Sequence, residues 1–405
     1  METLRLNAPD EAVEILKNGG LVAVPTETVY GLCCNALDAA AVAKVFEVKG
    51  RPEVKALSVM VIGVSAFERF CLDVPPQAYT LAKKFWPGPL TIVLKAKDCF
   101  PDSVLAGGDT VGLRCPNHAV TLEILKQADL PLAAPSANPS GLAGPTDATL
   151  VLEYFDGKID AVIDGGVCAK GRESTIVDIS GAPYKILREA AVPADEVWDC
   201  LARALTIVGV TGGSGSGKSV VSDALVARGA TFIDCDAVYH ELTVSCEEMR
   251  SETIAAFGDV YDGNVLNRKK LGAIVFADKN ALLKLNEITH KYVHREVLRR
   301  VRECAEGGKA LVAIEAIELI GSPSSGLCKF IVGVTAPHDA RIKRLMAREN
   351  ISEEYARSRL SAQRGDDYFE GHCDYVLTND GDIDAFKKKC ENFFAEVLKY
   401  GEENR

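Results

Sequence analysis

Residues 212–219 read Gly-Gly-Ser-Gly-Ser-Gly-Lys-Ser, a match to G-x-x-x-x-G-K-S/T. No other stretch constrains the fold of this chain as strongly. Backbone N–H groups converge on phosphate oxygens only where the chain passes close to them, and glycine permits that approach. The pattern gives Gly213, Gly215, Ser216, Gly217, Lys218, Ser219 and Val220 as ATP contacts. Lys218 would reach the β- and γ-phosphates, and the Ser219 hydroxyl would ligate Mg2+. Before the motif, LTIVGVT reads as a strand; after it, SVVSDALVARG has helical spacing and a stopping glycine. Strand, phosphate loop and helix open a nucleotide-binding α/β unit with parallel strands.

That unit starts only near residue 205, and 405 residues exceed one ordinary core. Segment 192–204, VPADEVWDCLARA, is partly helical in pattern and separates KILREAAV, a terminal strand and loop, from the new apolar strand. We therefore expect two α/β domains, residues 1–195 and 205–400. With 47% hydrophobic and 25% charged residues, the composition is that of a globular protein. A net charge of −11 excludes a broad nucleic-acid-coating surface and leaves room for a local cationic pocket. The opening METLRLNAPDEAVEILKNGG lacks a cationic region followed by an apolar run. No stretch reaches the roughly 18 apolar residues of a membrane span, so a cytoplasmic protein is expected. Thirteen scattered cysteines include no C-x-x-C pair, which fits reduced thiols packed as small apolar side chains.

A second apolar run, ATFIDCDAV, ends in Asp234 and Asp236. Alternation of period two puts both on one face at the carboxyl end of a strand, where open α/β sheets bind ligands. A base for an attacking hydroxyl belongs there. VGVTGGSGSGKS followed by GATFIDCDAVYHEL resembles the opening of the dephospho-coenzyme A kinases. The resemblance continues through Arg268, LGAIVFAD, His290, RIKRLMAREN, SRLSAQ and DYVLTND, over about residues 205–380. It implies a P-loop domain with a parallel sheet and helical lid that phosphorylates the ribose 3′-hydroxyl of dephospho-coenzyme A with ATP. By the same resemblance Asp236 is the base, Lys218 serves the phosphates, and Arg341, Arg344, Arg348, Arg359 and Gln363 serve the lid. Mobile arginines suit a transferring phosphoryl group, whose charge lies on equatorial oxygens. Two segments depart from the family pattern: EAIELIG (315–321) replaces Pro-Leu-Leu-Phe-Glu, and His290-Lys291 replaces His-Pro. Both are expected near the acceptor rather than the phosphates.

In the first half, strands LVAVP, LSVMV, LTIVLKA, PLAAPSA, AVIDGG and TIVDIS alternate with helices around 38–48, 76–86, 118–128 and 146–155. Several links are too short for crossover helices, so a twisted mixed sheet is expected. No phosphate-binding glycine pattern follows these strands. Cations and hydroxyls gather instead in six loops: PTETVYG (25–31), KGRPEVK (49–55), TVGLRCPNH (110–118), APSANPSG (134–141), REST (172–175) and ILRE (186–189). Lys49, Arg51 and Lys55 stand just past a helix, around a rigid turn of Gly50 and Pro52, a spacing that suits a triphosphate. Ser136 and Asn138 are donors stiffened by neighbouring prolines.

The set resembles the YrdC/Sua5 family, whose hallmark Lys-x-Arg and distant Ser-x-Asn are here Lys49, Arg51, Ser136 and Asn138. The match runs over about residues 8–192. It implies synthesis of threonylcarbamoyl-adenylate from L-threonine, bicarbonate and ATP, with pyrophosphate released. A partner transferase complex would then carry the group to tRNA adenosine 37. The resemblance assigns Lys49 and Arg51 to catalysis, and Thr28, Arg114, Ser174 and the Ala134 backbone to threonine. It assigns Arg51, Lys55, Thr110, Ser136, Asn138, Gly144 and Arg188 to ATP. Carboxylate attack on the α-phosphorus needs aligned reactants and neutralised charge, not a protein nucleophile. Lys55-Ala56-Leu57 for Lys-Pro-Leu, Met60 for a histidine of some members, and Glu-Ala after Arg188 are departures that remove no phosphate ligand. Hydrogenase-maturation carbamoyltransferases hold a related domain but add zinc-binding C-x-x-C pairs, which this chain lacks. The residues leave two alternatives open: one half as a non-catalytic nucleotide- or RNA-binding module, or a kinase half acting on a nucleoside or nucleotide.

Overall fold

Short apolar runs in the first half assemble into a ten-stranded mixed sheet. The computed structural model describes residues 2–52, 54–275 and 277–403, with side chains up to residue 398. The strands are β1 (Leu4–Leu6), β2 (Val22–Val24), β3 (Gly31–Asn35), β4 (Ser58–Met60), β5 (Leu90–Lys95), β6 (Thr110–Arg114), β7 (Leu132–Ala133), β8 (Ala161–Ile163), β9 (Thr175–Asp178) and β10 (Lys185–Arg188). Their order is β1-β8-β2-β3-β7-β4-β6-β5-β9-β10. β4 runs parallel to β6 and β5 to β9, whereas β2–β3, β3–β7 and β5–β6 are antiparallel. The expected helices occupy Ala39–Lys49, Pro76–Phe85, Ala119–Ala128 and Ala148–Phe155. A further helix, Pro9–Lys17, buries Ala12, Val13 and Leu16 in a core with Val22, Val24, Cys33, Ile124, Leu132 and Ile163.

Two of the six loops are not loops, and ILRE is one of them, running as strand β10 up to Arg188. TVGLRCPNH begins as strand β6, because Val111 and Leu113 alternate inward at 1% and 0% exposure and Arg114 is carried to the strand end. Two inward residues are too few to announce a strand among polar neighbours. The helix Ala39–Lys49 ends as its sequence suggests. Gly50 adopts φ 57°, Gly50 N–H bonds Glu47 O at 3.1 Å and Arg51 N–H bonds Phe46 O at 3.0 Å. This paired closure fixes the direction in which Lys49 and Arg51 leave the helix.

The second half forms β11 (Thr206–Thr211), β12 (Thr231–Asp234), the hairpin β13 (Tyr261–Asp262) and β14 (Val265–Leu266), then β15 (Leu311–Glu315), β16 (Phe330–Thr335) and β17 (Tyr375–Thr378). Five of these make a parallel sheet in the order β12-β15-β11-β16-β17. Val208, Val210, Val332 and Val334 from its centre pack on Val221 and Leu225 of the helix Lys218–Val226 and on Phe386 and Phe394. β11 lies in the middle, so the carboxyl ends of its neighbours surround the phosphate loop. The chain divides into two compact units, Met1–Ala204 with Glu306–Gly308, and Leu205–Ala305 with Lys309–Arg405. Among the described residues no helix is long and apolar enough to cross a membrane, and all thirteen cysteines are free thiols.

Candidate active sites

The phosphate loop leaves β11 through Gly212, φ 146°, and enters its helix through Gly217, φ 105°. A loop whose N–H groups face inward turns its carbonyls outward, and those need donors of their own. The described structure supplies them. Arg341 Nε donates to Ser214 O at 3.0 Å, Arg344 Nη1 to Gly215 O at 3.2 Å, and Asn379 Nδ2 to Ser216 O at 2.9 Å. Gln363 clamps Ser214 from both sides, accepting from its N–H at 2.8 Å and donating to its Oγ at 2.7 Å. The packing is tight enough that a Cβ on Gly213 would lie 2.0 Å from Arg341 Nη2, and one on Gly217 2.3 Å from Asn379 Nδ2. A side chain at Gly213 would displace the Arg341 guanidinium, and one at Gly217, where φ is 105°, would displace the Asn379 amide and strain the backbone.

Inside the loop lies a cleft of about 410 Å³ lined by Gly215, Lys218, Ser219, Glu315, Arg348 and Asn379, among others that include Val220 and Arg344. Lys218 Nζ rests on Gly212 O at 3.0 Å. Desolvation pushes its ammonium below the usual lysine range, while Glu315 and Asp236 work the other way. Ser216 is 1% exposed and, among the described residues, its hydroxyl has no hydrogen-bond partner. Ser219 is exposed in the first helical turn, at the position a metal-ligating hydroxyl needs.

The two carboxylates separate here. Asp234 ends β12 and caps the helix Cys235–Ser245, its Oδ1 accepting from the N–H groups of Asp236 at 2.8 Å and Ala237 at 3.1 Å. Asp236 is therefore on the first turn of a helix and not on the strand face that period two suggests. The cause is the cap itself, since an aspartate at the strand end satisfies the first free N–H groups. Asp234 is engaged as the helix cap. Desolvation first, then Asp234, raises the Asp236 carboxyl above its ordinary range, and Lys218 and His240 oppose them. His240 in turn meets Arg268 Nη2 at 3.1 Å through Nδ1.

Three expectations about this unit need correction. Arg341 and Arg344 are packed against the phosphate loop: Arg341 is 5% exposed and both donate to loop carbonyls, while Gln363 bonds the Ser214 N–H and Oγ. Arg359 pairs with Glu349 on the surface and does not reach the cleft, so Arg348 alone among the lid cations faces it without bracing the loop. The altered segment EAIELIG begins inside the phosphate cleft, at Glu315, and only its Glu318 acts on the acceptor-side His290. Asn379 and Glu315 lie inside DYVLTND and EAIELIG, yet neither was named as a site residue.

The first unit has a cleft of about 130 Å³ bordered by Thr28, Arg51, Arg114, Ala134, Ser136, Ser174 and Arg188. Seven of the expected residues, from distant parts of the chain, therefore meet. Arg114 is held by a buried ion pair with Glu27, 2.9 Å apart with both side chains 8% exposed, and donates to Thr28 Oγ1 at 2.8 Å. Removing either partner of such a pair costs about 3–5 kcal/mol. Arg188 donates through Nε to Ser174 O at 3.0 Å and pairs with Glu173; Ser174 Oγ lies 2.8 Å from Thr91 Oγ1. Arg51 anchors its own turn, Nη2 to Ala56 O at 2.9 Å. Its guanidinium is weakened as a cation by burial and by the nearby Arg188, with Glu173 opposing. Three arginines, Arg51, Arg114 and Arg188, meet here against two carboxylates, Glu27 and Glu173, a charge balance that suits an anionic ligand.

Lys49 departs from its expected place. At 3% exposure it does not border the cleft; its ammonium donates to Asn138 O at 2.5 Å and to Ser136 O. Burial first, then Arg51, pushes it down to about 8, with Glu173 opposing. The hallmark lysine therefore holds the Ser136–Asn138 segment from below. Asn138 is likewise internal, its Nδ2 bonding Leu142 O at 2.7 Å. Lys55 is exposed, Thr110 is half-buried at the start of β6 and Gly144 packs on Val29, and none of the three borders the cleft. Met60 does. Glu27, Tyr30 and Glu173 were missed, although PTETVYG and REST contain them.

The Sua5–YciO–YrdC family model, described as telomere recombination, matches residues 14–190, and the CoaE model, described as dephospho-CoA kinase, matches residues 206–385. A threonylcarbamoyl-AMP synthase of Pyrococcus abyssi is 44% identical over 186 residues, 46% of this chain and 55% of that protein. A Methanocaldococcus jannaschii relative is 37% identical over 187 residues, 46% of this chain and 87% of that protein. A dephospho-CoA kinase of Lactobacillus johnsonii is 31% identical over 192 residues, 47% of this chain and 97% of that protein. The chain spans about half the length of the first curated relatives it matches, 53–58%. By these matches the chain belongs to two families, the Sua5–YciO–YrdC family through its first unit and the dephospho-CoA kinase family through its second.

Proposed function

We propose that this chain is a bifunctional ATP-using enzyme. Its first unit makes threonylcarbamoyl-adenylate from L-threonine, bicarbonate and ATP for a tRNA-modifying transferase complex. Its second phosphorylates the ribose 3′-hydroxyl of dephospho-coenzyme A. The observation that carries this reading is the presence of two anion-binding clefts on separate cores, one built on a phosphate loop and one on converging arginines. Both reactions draw on cytoplasmic metabolites, and we assign the chain to that compartment.

In the first cleft, Arg114 takes the threonine carboxylate, with the Ala134 backbone and Ser174 beside it. The amine and bicarbonate give a carbamate with loss of water. A carbamate oxygen attacks the α-phosphorus, the bond from that phosphorus to its bridging oxygen breaks, and pyrophosphate leaves. Arg51, Arg188 and Ser136 neutralise and orient the triphosphate; Lys49 keeps Ser136 in place. No side chain is acylated.

In the second cleft, the phosphate loop and Lys218 hold the β- and γ-phosphates, and Arg348 covers the equatorial oxygens. Ser219 would hold Mg2+, which when bound neutralises charge on those phosphates. Asp236 accepts the proton as the 3′-oxygen attacks the γ-phosphorus, and ADP leaves with the bridging oxygen. Its raised carboxyl suits that work better than an ordinary aspartate would. Asp236→Asn is expected to lower kcat about 10²–10⁴-fold with ATP affinity nearly unchanged. Asp234→Asn keeps a side-chain oxygen for the cap and is expected to cost about tenfold or less in kcat. Steady-state rates with ATP and dephospho-coenzyme A check both. A larger kcat loss in Asp234→Asn would reverse the assignment, and a chain that prefers a nucleoside in a panel of acceptors would replace the proposed substrate.

A further inference from the structure

The carboxylate that borders the first cleft has no task in the reaction as derived. Glu173 stands in REST and faces the phosphate end of the cleft. Its side chain pairs with Arg188. Its charge also reaches Arg51 and Lys49, whose loss of basicity on burial it partly offsets. Two cations assigned to the triphosphate, and the lysine that steadies Ser136, thus share one protein carboxylate.

The backbone of Glu173 is fixed. Its carbonyl accepts from Ala191 N–H at 3.1 Å, and the next two residues, Ser174 and Thr175, are 4% and 0% exposed. Thr175 Oγ1 ties this strand start to the chain beyond β10, donating to Val192 O at 2.6 Å. The side chain of Glu173, by contrast, is 45% exposed. An ion pair that open to water is weak and breaks at little cost. Nor does the orientation of Arg188 rest on Glu173 alone. Nε donates to Ser174 O at 3.0 Å and Nη2 to Ser174 Oγ at 3.3 Å, which leaves Nη1 as the donor that Glu173 takes.

A phosphate oxygen and the Glu173 carboxylate compete for that one donor, and like charges side by side in a partly desolvated cleft repel. The competition has a use. Arginines that hold the triphosphate hold the leaving pyrophosphate too, and such uniform binding gains nothing in turnover if the product then stays. A carboxylate on a fixed backbone, with a side chain able to swing, lowers the affinity of both anions and is at hand when the bridging bond has broken.

We propose that Glu173 is a competing anion built into the cleft: ATP displaces it from Arg188, and its return displaces pyrophosphate. The proposal deepens the synthase reading of the first unit and rests on it.

The test follows threonine-dependent incorporation of radiolabelled bicarbonate by the full chain, a signal the kinase reaction does not produce, with inorganic pyrophosphate added as inhibitor. Glu173→Gln keeps an acceptor for Arg188 and removes the charge. It is expected to lower the inhibition constant of pyrophosphate about five- to tenfold and the KM for ATP about two- to fivefold. Glu173→Ala removes the hydrogen bond as well and should shift both constants the same way. A residue that merely held Arg188 in place would do the reverse, so weaker binding of both anions in Glu173→Ala overturns the proposal. Unchanged constants in Glu173→Gln overturn it too. Glu14, exposed on the helix Pro9–Lys17, supplies the control: Glu14→Gln alters the net charge equally and is expected to leave both constants as they are. Equal tightening there would reduce the effect to net charge and also decide against the proposal. If the unaltered chain incorporates no label with threonine and ATP present, the synthase reading itself falls, which is a separate failure.

Discussion

A folded Lys218→Ala protein is expected to lose phosphoryl transfer to dephospho-coenzyme A by about 10³-fold or more. Threonine-dependent pyrophosphate release should stay within about twofold of the unaltered chain, as for sites that share no partners. The first part follows from geometry. Lys218 is the cation at the floor of the phosphate cleft, resting on Gly212 O, and burial already strains its charge in the absence of a ligand. A lysine that tolerates such desolvation is matched to an anion, and an alanine leaves the developing charge on the β,γ-bridging oxygen unanswered. The second part follows from the division of the chain. The arginines of the first cleft draw on the sheet β1–β10, where Arg51 bonds Ala56, Arg114 bonds Thr28 and Arg188 bonds Ser174, all in the same unit. Circular dichroism establishes folding, and two assays run on one preparation decide the matter: ADP formation with dephospho-coenzyme A, and pyrophosphate release with threonine and bicarbonate. Loss of both activities in a folded protein would refute the two-site arrangement.

What the sequence disclosed of each site depended on how local the signal was. The phosphate loop is contiguous, and its glycines, lysine and serine stand where the motif requires, so the structure adds only the donors behind it. Those donors could not be read. An arginine that braces a carbonyl and one that contacts a phosphate have the same sequence appearance, and Arg341, Arg344 and Arg348 differ only in what lies beneath them. Asp234 and Asp236 posed a similar problem. Alternation treats them alike until a helix begins at Cys235 and takes Asp234 as its cap. Glu315 was legible as a departure from the kinase pattern, yet its location was misjudged, since only the register β15–β11 reveals that a strand end far along the chain adjoins the phosphate loop. The first cleft is the opposite case. No single loop there is informative, and the resemblance, taken over all of them together, named seven of the residues that meet. It also named Lys49, which the structure sets one layer deeper, because a motif records that a residue matters without recording whether it faces the ligand or its neighbour.

The first unit gives the other large effect. Arg51→Ala is expected to lower threonine-dependent pyrophosphate release by about 10²–10³-fold, chiefly in kcat, as when one preorganised charge partner is removed from a developing oxyanion. Arg51 is suited to such a role because its orientation is set before any ligand arrives. The helix closure at Gly50 fixes its backbone and Ala56 O fixes one end of its guanidinium, so little ordering entropy remains to be lost when the triphosphate binds. Thr28→Ala should behave differently. Its hydroxyl accepts from Arg114 at 2.8 Å, so its loss loosens the group that receives the threonine carboxylate without removing a charge. A rise in the KM for threonine worth about 1 kcal/mol, with kcat nearly kept, is expected. Both variants are measured in the full chain by pyrophosphate release, which the kinase reaction does not produce. Omitting either threonine or bicarbonate should abolish the signal, because the attacking group is the carbamate formed from both. Pyrophosphate release that ignores threonine, or an Arg51→Ala enzyme with ordinary rates, would make this unit a nucleotide-binding module instead. The contrast between a kcat effect at Arg51 and a KM effect at Thr28 then tests more than activity. It asks whether the cleft is organised as its charges imply, with one end for a triphosphate and the other for an amino acid.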